Sequence, residues 1–112
     1  MENNQSLLQQ MTRVAGQVGS ILTALDVDLL DRPQLKLAGT IKRLMAEARL
    51  DIRDWEMSDS KAEMQKNATE AVQRIEQVRA SILLASEHNL FTTIDIAEIS
   101  VQFDHIIREL KG

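Results

Sequence analysis

Apolar residues recur at steps of three and four along almost the whole chain, the spacing of helices that bury one face. Leu7, Met11, Val14, Val18, Ile21 and Leu25 form a first seam, and Ala38, Ile41, Met45, Ala48, Ile52 and Trp55 a second. Met64, Ala68, Ala71, Ile75, Val78, Ile82 and Ala85 form a third, and Ile96, Ile99, Phe103, Ile106 and Leu110 a fourth. The residues between the seams carry matching end signals. Ser6 or Asn4 can cap the first helix, because a short polar side chain accepts from one of the free N–H groups of the first turn. Asp31-Arg32-Pro33 reads as a cap followed by a proline in the first turn, where its missing N–H costs nothing. Ser60 with Glu63 has the spacing of a capping box, and Asn89 reads as the stop of the third helix. Thr92 caps the fourth with Asp95 at its third position, and Phe91 is placed to staple onto Ile96. The pattern therefore predicts helices over 4–25, 32–57, 60–88 and 93–110.

One stretch competes with this reading. Ile99-Ser100-Val101-Gln102-Phe103 alternates as a half-buried strand would. The longer window keeps helical spacing, and a lone strand would find no partner for its backbone hydrogen bonds. Short connections between long helices force antiparallel neighbours, so the expected fold is all-α, an antiparallel up-down four-helix bundle forming one domain over residues 1–112. The alternative fuses the second and third segments into one long helix, since Ser58 to Ser60 holds neither Gly nor Pro, and gives an intertwined dimer. Ile41, Met45, Ile52, Ile75, Val78, Ile82, Ile99, Phe103 and Ile106 are the expected core.

Composition narrows the function classes. The chain has 112 residues, 44% hydrophobic and 27% charged, as a single globular domain would. It has no cysteine, which removes disulfides, thiolate metal sites and cysteine nucleophiles and fits a cytoplasmic location. The longest apolar run is four residues, Ile82 to Ala85, so no membrane span is expected, and MENNQSLL lacks the basic start of a signal peptide. A net charge of -4 disfavours sequence-independent binding to nucleic acid or anionic lipid.

Candidate chemistry centres on Glu47, Asp51 and Asp54, three carboxylates on one face of the second helix that could meet Asp59, Glu63 and Glu70 across a hairpin. Such a cluster could hold Mg²⁺ and orient a phosphate. In this it loosely resembles the all-alpha nucleotide pyrophosphohydrolases, which implies a Mg-dependent enzyme as the alternative function. The doubled glutamates of that family's first motif are absent, and Arg49 and Arg53 interleave the acids. His88 and His105 have Ala85 and Gln102 three positions before them, so neither makes the Glu-x-x-His pair of a di-iron bundle. Leu35-Lys36-Leu37-Ala38-Gly39 resembles the phosphorylated helix of histidine phosphotransfer domains but has no histidine to accept phosphate. Arg13-Val14-Ala15-Gly16-Gln17-Val18-Gly19 resembles the first helix of copper-sensing repressors, without that family's Cys and His ligands downstream. No metal or other cofactor is expected.

Three surface features remain. Lys42, Arg49 and Arg53 make a basic ridge on the second helix, the basis of a weaker reading as a nucleic-acid-binding regulator. Thr12, Gly16, Gly19, Ser20 and Thr23 run beside the first seam, and glycines inside a helix cost about 1 kcal/mol each relative to alanine, so a close helix contact, within the monomer or between subunits, is expected to offset them. Third, an up-down bundle brings the loop after the first helix and the loop after the third to one end. That end gathers Val27, Leu29, Leu30, Leu83, Leu84, Leu90, Phe91 and Ile94, and Val101 extends it along the fourth helix. Part of this set must cap the bundle's own core; the rest is the expected partner interface. The chain reads as a non-enzymatic helical interaction module, an adaptor, chaperone-like or regulatory protein, binding a protein partner or itself as a homodimer.

Overall fold

A computed structural model describes residues 6–112. They form α1 (Leu7–Thr23), α2 (Arg32–Glu56), α3 (Lys61–Glu87) and α4 (Thr93–Lys111), with a 3₁₀ turn at Val27–Leu29 between the first two. No strand occurs among the described residues, so the alternating stretch at 99–103 is helical.

Each helix starts where a side chain captures its free N–H groups. Ser6 Oγ accepts from Gln9 N–H at 3.1 Å while the Ser6 N–H donates to Gln9 Oε1 at 3.0 Å. Asn4, the other candidate cap, lies outside the described residues. Asp31 and Gln34 exchange the same pair of bonds at the start of α2, with Pro33 in the first turn, and Thr92 and Asp95 do so at α4. At α3 only half of the expected box forms: Ser60 Oγ accepts from Glu63 N–H, and the Glu63 carboxylate does not return to the cap.

The break at Met57–Ser60 rules out a fused α2–α3 helix. Ser60 is extended (φ -141°, ψ 161°), and Asn67, one hairpin leg away, holds the turn by donating to the Asp54 carbonyl and to Ser58 Oγ. Ser58 Oγ in turn donates to the Asp54 carbonyl at 3.0 Å. α1 ends at Thr23 rather than Leu25, its last carbonyls taken up by the Ala24 and Leu25 N–H groups.

Packing follows chain order: α1 lies on α2, α2 on α3, α3 on α4, and α4 returns to α1. Polar contacts fix the directions. The Leu8 N–H at the start of α1 donates to Glu56 at the end of α2, and Gln34 at the start of α2 donates to the His88 carbonyl at the end of α3. The result is the up-down bundle. α2 and α3, with 25 and 27 residues, outreach α1 and α4, with 17 and 19.

All nine expected core residues are buried, joined by Leu7, Met11, Val14, Val18, Leu22, Leu44, Ala48, Ala71, Ala85 and Leu110. On α1 the seam drifts toward Leu22, leaving Ile21 and Leu25 half-buried against it. No charged or polar residue is buried among those described, so the interior is apolar throughout. Ile75, fully enclosed on the central face of α3, should cost about 2 to 5 kcal/mol when replaced by alanine, because a close-packed interior collapses only partly around a cavity. Urea denaturation of Ile75→Ala measures this, and a cost below about half a kcal/mol would mean that α3 is rotated from its described phase.

Candidate interaction surface

The end of the bundle holding the α1–α2 and α3–α4 connections divides into residues that turn inward and residues that do not. Leu90 and Phe91 turn inward; both are buried and, contrary to the sequence expectation, belong to the core rather than to an exposed interface. The cause is local backbone geometry. Asn89 adopts a left-handed conformation (φ 65°), the Leu90 N–H reaches back to the Ala85 carbonyl at 3.0 Å, and the Asn89 N–H reaches that of Ser86. This is a Schellman closure, which aims the residue after the left-handed position back at the helix it ends. Phe91 then sits just before the Thr92 cap, where a staple residue belongs. Leu30 is half-buried against the core.

Six of the nine expected interface residues stay exposed: Val27, Leu29, Leu83, Leu84, Ile94 and Val101. Val27 and Leu29 are 62% and 80% exposed because the turn that bears them satisfies itself: Asp26 accepts from the Asp28 and Leu29 N–H groups, and Val27 from Leu30. That turn has no further need of the core. Leu83 and Leu84 follow the buried Ile82 around α3 and lie on its outer side, since one seam spans only part of a helix. Ile94, in the first turn of α4, is 70% exposed, and Leu35, in the first turn of α2, adds an apolar residue at this end that sequence reasoning missed. Val101 lies two turns along α4 from Ile94, away from this end.

The carboxylates of α2 are already engaged. The Arg74 guanidinium on α3 donates from Nη1 to Glu47 at 2.9 Å and from Nε to Asp51 at 3.0 Å. The hydrogen bond with Asp51 holds Arg74 above the ordinary guanidinium range; burial opposes it, and the nearby charges of Asp51, Glu47 and Glu70 add to the rise. Asp54 is turned toward the α2–α3 loop, where it lines a shallow depression with Arg53, Met57, Glu63 and Asn67. Among the described residues no group of three His, Asp or Glu side chains is placed to hold a metal ion. The expected acidic cluster is thus an α2–α3 crosslink with Arg74 at its centre, and sequence reasoning did not place that cation there.

The basic ridge splits in the same way: Arg53 joins the loop depression, while Lys42 and Arg49 flank a small cleft between α1 and α2 floored by Ala15, Val18, Gly19 and Met45. A methyl group added at Gly16 or Gly19 would meet nothing within 4 Å, so no close helix contact inside the monomer requires either glycine. No helix of the described residues is long and apolar enough to cross a membrane.

At the opposite end, the greater length of α3 leaves its first turns uncovered by α4. Trp55, Met64, Ala68, Val72 and Leu110 line the resulting apolar groove of about 670 Å³, with Lys61, Lys111 and Glu109 at its rim. Sequence reasoning placed Met64 in a continuous seam, and only the mismatch in helix length exposes it.

Because Arg74 occupies Glu47 and Asp51, millimolar Mg²⁺ should leave the melting temperature of the protein unchanged, whereas a rise of several degrees that Asp51→Asn abolishes would restore a metal site. Removing the crosslink with Arg74→Ala should cost about 1 to 3 kcal/mol in denaturant unfolding, as expected for charge-assisted hydrogen bonds at a half-buried site. Searches of family models, curated proteins and solved structures find nothing that matches this chain.

Proposed function

We propose that the protein is a non-enzymatic helical interaction module, an adaptor, chaperone-like or regulatory component, that associates with itself through its apolar end. The observation that carries this reading is the gathering of Val27, Leu29, Leu35, Leu83, Leu84 and Ile94, six of the ten large apolar residues exposed on the described chain, around one end of the bundle. Scattered surface leucines are ordinary, but a concentration of large apolar residues at one end is the pattern an interface leaves. The residues that close the core at this end, Leu90 and Phe91, already do so without the exposed six. Burial of those six therefore contributes little to the monomer's stability and is free to drive association.

Sedimentation velocity over a micromolar concentration series tests the reading. The wild type should show a concentration-dependent rise in mass, and variants that add Leu84→Glu or Ile94→Glu to Leu29→Glu should shift the protein toward monomer with unchanged far-UV circular dichroism and thermal stability. A wild type that stays monomeric, or variants that keep its association, would contradict it.

A further inference from the structure

We infer that association is head-to-tail: the Val27–Leu29 turn of one copy seats in the groove lined by Trp55, Met64, Ala68, Val72 and Leu110 at the far end of another. This rests on the self-association proposed above and identifies the receiving surface. Charge decides against pairing the apolar end with itself. The turn carries Asp26, Asp28 and Asp31 within six residues, and Glu87 and Asp95 lie at the same end against Arg32 and Lys36. An isologous dimer through that end would press two net-acidic surfaces together as apolar contact excludes water, where like charges repel most.

The groove offers the complementary surroundings. Its floor is apolar, and its volume of about 670 Å³ has room for two aliphatic side chains. Lys61 and Lys111 stand at its rim, and neither forms an ion pair with a described residue. One acidic side chain, Glu109, stands with the two lysines, so the side chains lining the groove carry a net charge of about +1 against the acidic turn. Val27 and Leu29 project from a turn already tied by its own hydrogen bonds, so seating them orders little new chain. Turn and groove lie at opposite ends of a molecule 48 Å long, so each copy keeps one free turn and one free groove, and the assembly grows along the bundle axis as an open chain.

Two variants that each lose one half of the contact test this. Leu29→Asp disables the turn and keeps the groove; Met64→Glu places a charge in the groove and keeps the turn. In low salt, each alone should sediment as a monomer, their equimolar mixture should form a 1:1 dimer and nothing larger, and the wild type should exceed dimer mass as its concentration rises. Circular dichroism and melting of each variant check that it folds. A wild type that stops at a dimer unaffected by Met64→Glu, or a mixture that stays monomeric while the wild type associates, would overturn the head-to-tail contact and leave self-association standing. A wild type that is monomeric at hundreds of micromolar would overturn both.

Discussion

The antiparallel α2–α3 hairpin is the frame on which the other elements depend. Its two long helices share an apolar seam of Ile41, Met45, Ala48 and Ile52 against Ala71, Ile75, Val78 and Ile82, and Arg74 crosslinks Glu47 and Asp51 along one margin of it. Asn67 closes its turn at one end, and Gln34 ties its open end to the His88 carbonyl. α1 and α4 are shorter and complete the core by laying their own seams into the hairpin's remaining face. Two features of the surface follow from that difference in length. The early turns of α3 find no helix opposite, which leaves the groove around Met64, and the open end of the hairpin must be covered by connections instead of helices.

How those connections cover it determines what remains outside. The Schellman closure at Asn89 uses Leu90 and Phe91 to seal the interior, while the turn at Val27–Leu29 satisfies its own backbone and leaves two aliphatic side chains in water. Leu35, Leu83 and Leu84 are already about half-buried, so burying the six residues of this end would release only part of the roughly 1.5 to 3 kcal/mol per side chain of a full transfer, and several must be buried together to offset the entropy of association. The acidic turn and the groove with its two lysines would give the proposed association a direction.

The helices were legible in the sequence because two independent signals agree, the three-and-four spacing of Ile75, Val78 and Ile82 or of Ile99, Phe103 and Ile106, and the capping residues Ser6, Asp31, Ser60 and Thr92 just before each run. Other features depended on relations between distant residues. Nothing local to Glu47 and Asp51 shows that Arg74 lies between them; that requires the register of the hairpin. The inward turn of Leu90 depends on one left-handed residue, which asparagine tolerates but does not demand. The apolar end was legible as an excess of large side chains, yet the division between sealing and exposed residues was not. Gly16 and Gly19 face open space, and no contact in the monomer accounts for them.

In the proposed picture the bundle completes its core alone and meets another copy through its leftover apolar end. Amide hydrogen exchange of the wild type, compared between dilute and concentrated solution, distinguishes this from a lone monomer. Added protection confined to the 26–31 turn, the end of α3, the start of α4 and the groove-lining turns of α2 and α3 is the expected result. Exchange unchanged by concentration, or protection gained instead around Leu50, a half-exposed residue in the middle of α2, would contradict it.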